Sequence, residues 1–171
     1  MRNLSIITLS LAVLSVFTLS SGQAMAEHGK ISGSAALSYS KQEASAAPLA
    51  GGHMLVSGEL TGSNKNTGGT DFMNDANVDN REVGQLFQGN GSHTGYYTMS
   101  KDGNTTTALW KGDVSTVLAD DGSPRTSFKG TWEYVAGTGK YSGIQGKGKY
   151  NGYFTSKTTY TVDWNGEYSL K

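Results

Sequence analysis

From Phe128 to Ala136 the chain alternates. Phe128, Gly130, Trp132, Tyr134 and Ala136 fall on one parity, and Lys129, Thr131 and Glu133 on the other. Successive side chains of a strand point to opposite faces, so this segment reads as a strand with one dry face and one wet face. The same period recurs along the chain. Thr106, Ala108, Trp110 and Gly112 oppose Thr107, Leu109, Lys111 and Asp113, and Tyr160, Val162 and Trp164 oppose Thr159, Thr161 and Asp163. Met54, Val56 and Leu60 likewise oppose Ser57, Glu59 and Thr61. Period-2 patterning also places strands near 31–40, 83–88, 93–100 and 147–156, and no amphipathic helix is expected after residue 26.

Turn chemistry separates these segments. Lys101-Asp102-Gly103-Asn104 reads as a hairpin turn and Asp120-Asp121-Gly122-Ser123-Pro124 as a loop. Ser63 to Thr70 is expected to be a polar connection. Asn165-Gly166 fits either a tight turn or a glycine inside a long final strand. About eight strands spaced roughly 10–15 residues apart imply a sandwich or a closed barrel. We favour a single antiparallel eight-stranded closed β-barrel. Its inner face would mix large aromatics with Gly and Ala, glycine in strands marks tight bends, and closure leaves no free edge. The 24 glycines alone would also suit a linker, but three Trp, nine Tyr and five Phe spread through the chain suit a folded domain.

The N-terminus carries a different pattern. Arg2 precedes an apolar run from Leu4 to Leu19, Ser20-Ser21-Gly22-Gln23 interrupts it, and Ala24-Met25-Ala26 follows. This predicts a secretory signal over 1–26 and a barrel domain over 27–171, periplasmic or secreted. The apolar run is shorter than the roughly 20 residues a spanning helix needs, so no stable membrane span is expected after cleavage. With no cysteine, neither a lipid-anchored cysteine nor a disulfide is available, and stability must come from packing and strand pairing. Fourteen basic residues balance fourteen acidic ones, which argues against a nucleic-acid partner.

One segment has a family look. Gly137-Thr138-Gly139-Lys140-Tyr141-Ser142-Gly143 leads through Ile144 to Gly146-Lys147-Gly148-Lys149-Tyr150. Gly137 and Gly139 permit a sharp turn, Tyr141 and Ile144 would anchor it on the barrel, and Gly146 and Gly148 allow close strand approach. The segment resembles the allene oxide cyclase-like and dirigent-like barrels, over about residues 128–168. The resemblance implies an eight-stranded antiparallel barrel with a central cavity, often a homo-oligomer, in which cavity shape steers any reaction. Fold likeness does not carry activity. Gly137-Thr138-Gly139 is not read as a phosphate loop, because strand rather than helix is expected after it.

Little else suggests chemistry. Asp75-Ala76-Asn77-Val78-Asp79-Asn80 has alternating oxygen donors, but a calcium loop needs Gly at its sixth position and Glu at its twelfth, where Asn80 and Leu86 stand. A polar loop before a strand is the reading adopted. His28 falls in an expected frayed N-terminus, His53 opens a strand, and His93 shares parity with Tyr97 and Met99. No metal ligands, cofactor or catalytic residues are assigned, and no serine lies in a nucleophile elbow. The candidate ligand-binding residues are the aromatics of the dry face: Trp110, Trp132, Tyr134, Tyr150, Tyr160 and Trp164. Together with Phe154 they would either line a cavity for a small apolar ligand or fill the core. The expected role is an exported binding protein for a small apolar or amphipathic molecule. The alternatives are a cavity-steered isomerase or cyclase, and a structural, self-associating surface or outer-membrane protein.

Overall fold

The computed structural model describes residues 27–46 and 51–170. The segment read as a signal lies outside the described residues. Eight strands follow one another round a closed antiparallel barrel. They are β1 (His28–Ala46), β2 (His53–Asn66), β3 (Asn77–Phe87), β4 (Asn90–Lys101), β5 (Asn104–Leu118), β6 (Pro124–Thr138), β7 (Gln145–Phe154) and β8 (Thr159–Ser169). Pairing of β1 with β8, from His28↔Ser169 to Ser38↔Thr159, closes the ring. The expected all-β barrel is therefore the observed one. His28 is paired within β1 rather than frayed.

The inward face follows the alternation. Phe128, Trp132, Trp110, Tyr160, Val162 and Trp164 are all buried. Ala136 departs from it. Thr107 pairs with Ala136 and Ala108 with Tyr134, so Val135 is an extra residue and the parity flips there. Ala136 consequently lies on the exposed side, and Gly137 faces in.

The turns follow local chemistry. Asp102 and Gly103 have φ of 50° and 75°, which makes the two-residue turn that closes β4 on β5. Gln88-Gly89, at 51° and 76°, does the same between β3 and β4. Asn165-Gly166 lies inside β8. The polar stretch from Ser63 stays in β2 as far as Asn66, so the connection begins later than expected.

The two ends of the barrel differ. At one end, residues 67–76 fold inward and bury Phe72, Met73 and Ala76, and the short 3₁₀ turn Gly139–Tyr141 adds Tyr141 with Ile144 just beyond. Phe72 packs against Tyr168, Tyr141 and Tyr134 at ring separations of 4.8, 5.0 and 6.2 Å. Asn64, wholly buried, clamps this plug: its side-chain amide donates to the Met73 carbonyl (2.9 Å) while its oxygen accepts from the Trp164 indole (2.9 Å). Tyr141 and Ile144 thus anchor their connection as the sequence predicts.

The opposite end is open and uneven. The β1–β2 hairpin reaches Ala46↔Met54 and the β5–β6 hairpin reaches Leu118↔Pro124. On the β7–β8 side the wall is low, because β8 begins only at Thr159 and leaves residues 40–46 of β1 without a partner on that edge.

Candidate functional site

The six aromatics singled out from the sequence all face the barrel interior. Trp110, Trp132, Tyr150, Tyr160 and Trp164 are buried and Tyr134 nearly so. They pack on one another, with Trp110–Tyr150 at 5.6 Å, Trp132–Tyr134 at 4.9 Å and Trp132–Trp164 at 6.2 Å between ring centres. Each indole N–H has an acceptor: Asn80 Oδ1 for Trp110 (2.9 Å), Asn64 Oδ1 for Trp164 (2.9 Å) and the Lys149 carbonyl for Trp132 (3.2 Å). The space left among them is about 60 Å³, enough for a few water-sized groups and far below the size of a ring-containing ligand. Tyr97 borders it, and its hydroxyl has no hydrogen-bond partner among the described residues.

A larger concavity, about 560 Å³, opens directly above at the unplugged end. Its walls include Tyr39 of β1, Phe128 of β6, Phe154 of β7 and Tyr160 of β8, and its floor carries Glu82 of β3 and His93 of β4. The rings form one connected group. Phe128 lies 4.9 Å from Tyr160, Phe154 lies 5.5 Å from Tyr160, and Tyr39 stacks on Phe154 at 6.5 Å. Of the six expected residues, Tyr160 alone also lines this cup.

The polar groups of the cup are placed by the sheet. Tyr39 and Glu82 belong to strands on either side of β2, and the β2 residue between them is Gly58. A Cβ at position 58 would collide with the Tyr39 ring. Without it, the Tyr39 hydroxyl reaches over β2 and donates to Glu82 Oε1. Asn80, two residues before Glu82 on the same face, uses its side-chain amide to donate to Tyr160 Oη at 3.0 Å. His93 Nε2 meets Tyr150 Oη at 3.1 Å, and the imidazole sits edge-on to Trp110, 4.7 Å away.

This burial shifts the ionisable groups. Burial pushes the Glu82 carboxyl above its ordinary pKa, more than hydrogen bonds from Tyr39 and Asn80 pull it down. His93 is pushed down to about 4, chiefly by burial and against the nearby Asp113 carboxylate, so its imidazole is neutral at pH 7. Burial likewise raises the hydroxyls of Tyr39 and Tyr150, with the Glu82 charge adding to each. Among the described residues the ion pairs are Lys41–Glu43, Lys65–Asp75 and Arg81–Asp79, all exposed, so Glu82 has no cationic partner.

Sequence reasoning missed Glu82, Asn80 and Tyr39 as site residues. The period-2 signal places this strand only from residue 83, because the inward positions Asn80 and Glu82 are polar and hide the alternation. Read backwards from Leu86 through Gly84 to Val78, the parity would have placed both inside. The acidic stretch weighed as a calcium loop is split by the same strand. Asp75 pairs with Lys65, Asp79 faces out toward Arg81, and Asn80 turns in to Trp110. No group of three metal-ligating side chains comes together among the described residues.

No protein-family model matches the chain, and no curated protein is detectably similar to it.

Proposed function

We propose that this is an exported protein that holds a small apolar or amphipathic molecule in the open cup of its barrel. The observation that carries the reading is the cup itself. It is a concavity of about 560 Å³, walled by four aromatic rings, with a single carboxyl group on its floor and the opposite end of the barrel plugged. Its size falls in the range of small-molecule sites, about 300–1,000 Å³, and an apolar wall with few polar groups is their usual lining. Export rests on the apolar run and Ala24-Met25-Ala26 of the N-terminus. Mid-strand charges on the outer face, among them Lys111, Lys129, Glu133, Lys147 and Asp163, favour an aqueous surrounding over the apolar band of a lipid-facing barrel.

The test uses the neutral fluorescent probe N-phenyl-1-naphthylamine. One saturable site is expected, and Val56→Trp, which fills the mouth from the rim, should weaken it at least tenfold while leaving the thermal transition in place. Absence of saturable uptake, or equal uptake by the filled variant, would sink the reading.

A second reading, a cavity-steered isomerase or cyclase as the allene oxide cyclase-like resemblance implies, draws on a different observation. Glu82 and His93 are inward ionisable groups with shifted pKa, which is what acid–base chemistry in a cup requires. It predicts a turnover that Glu82→Gln abolishes while ligand affinity survives.

A further inference from the structure

We propose that the occupant of the cup is an organic cation, an amine or quaternary ammonium on a short apolar chain or ring, recognised by Glu82 and the surrounding aromatic faces. The proposal rests on the binding reading above and adds the chemical class of the ligand.

Glu82 is the one acidic residue on the inward face of the described strands. Its hydrogen-bond partner Tyr39 and its neighbour Asn80 are neutral, and a carboxylate offers about four acceptor sites, so capacity remains. The three ion pairs of the described residues all lie on the outer surface. The one basic side chain lining the mouth, Lys157, stands on the β7–β8 turn at the rim. An apolar or anionic ligand would strip the remaining water from this carboxylate and supply no compensation, which is costly. A cationic head supplies it.

The walls make the same choice. A cation is attracted to the face of an aromatic ring within about 6 Å of its centre. Tyr39, Phe128, Phe154 and Tyr160 line the same cup as Glu82, with Phe128–Phe154 at 6.0 Å and Tyr39–Tyr160 at 6.3 Å closing the set of rings and the Tyr39 hydroxyl on the carboxyl group itself. His93 on the floor is neutral at pH 7 and so does not compete for Glu82 as a positive charge.

The experiment is calorimetric titration of the purified protein with three ligands of equal chain length: hexyltrimethylammonium, 1-hexanol and hexanoate. The cation is expected to bind at least tenfold tighter than the alcohol, and hexanoate more weakly than either. Glu82→Gln should bring the cation down to the alcohol's affinity in the same variant. Phe154→Leu, which keeps an apolar wall but removes a ring face, should weaken the cation about threefold more than it weakens the alcohol. Equal binding of all three ligands, or an undiminished cation preference in Glu82→Gln, overturns the cation assignment and leaves the cup standing. Failure of all three ligands together with the neutral probe overturns the cup as well.

Discussion

Opposite each tryptophan stands a glycine on a neighbouring strand: Gly95 across from Trp110, Gly33 from Trp164 and Gly148 from Trp132. The indole lies down over the glycine. A Cβ at Gly33 or Gly148 would fall 2.5 Å from the ring, and one at Gly95 would fall 2.6 Å away. At these three positions glycine and tryptophan have one cause, since an eight-stranded barrel has room for a large ring only where its neighbour has no side chain. Gly148→Ala should cost about 2–3 kcal/mol, because the added Cβ collides with the Asn165 backbone carbonyl on β8 and pushes Trp132 off both the glycine and the Lys149 carbonyl. Urea unfolding reads that loss, and a change below about 0.5 kcal/mol would show that both the ring and the β8 backbone give way. Gly58 applies the same logic to a polar pair, since it lets Tyr39 reach Glu82 across β2.

Single strands and loops decide which residues share a face. The extra residue at Val135 turns Gly137 inward and Ala136 outward, and Gly137 then packs closely on the Tyr141 backbone and the Ile144 side chain. β3 carries Asn80 and Glu82 inward and so builds the cup floor. The loop 67–76 plugs the far end, held there by Asn64 and Phe72. Plug and cup belong to opposite ends, so they should be separable. Phe72→Ala should destabilise the fold by about 3–5 kcal/mol through the cavity it leaves. In the fraction still folded, affinity for the neutral probe should match the parent protein. A loss of affinity parallel to the loss of stability would show that the ends are coupled.

At the level of the whole molecule, ring closure makes every strand depend on every other, and stability should be lost in one cooperative step. Titration of the inward groups is then read by the entire fold. His93 is held down to about 4 from an ordinary 6.5, so the unfolded chain binds its proton first. Stability should therefore fall as pH drops from 6.5 toward 4, by on the order of 3 kcal/mol from this group. Glu82 works in the opposite sense. Its raised folded pKa means that the native state takes up a proton first, so acidification relieves a buried charge. The rings packed on His93, those of Trp110, Phe128 and Tyr150, stay neutral through this window, so the change is carried by the imidazole itself. His93→Gln should flatten the acid limb of a melting-temperature profile, whereas an unchanged limb would mean that His93 is already protonated in the fold.

The strand period, the turn dipeptides and the aromatic–glycine composition were enough to read an antiparallel barrel, its interior residues and the anchoring of Tyr141 and Ile144. Those are local properties, because a pleat, a left-handed turn and a missing side chain each act within a few residues. The open cup is not local. Tyr39, Glu82, His93, Phe128, Phe154 and Tyr160 come from six strands, and only the register of the closed sheet brings them to one end. The sequence by itself determined most of the side chains that point inward, short of the parity flip at Val135 and the polar inward positions Asn80 and Glu82. The tertiary structure decided which of them pack the middle, which plug one end and which line a concavity, because that division depends on height along the barrel axis rather than on parity.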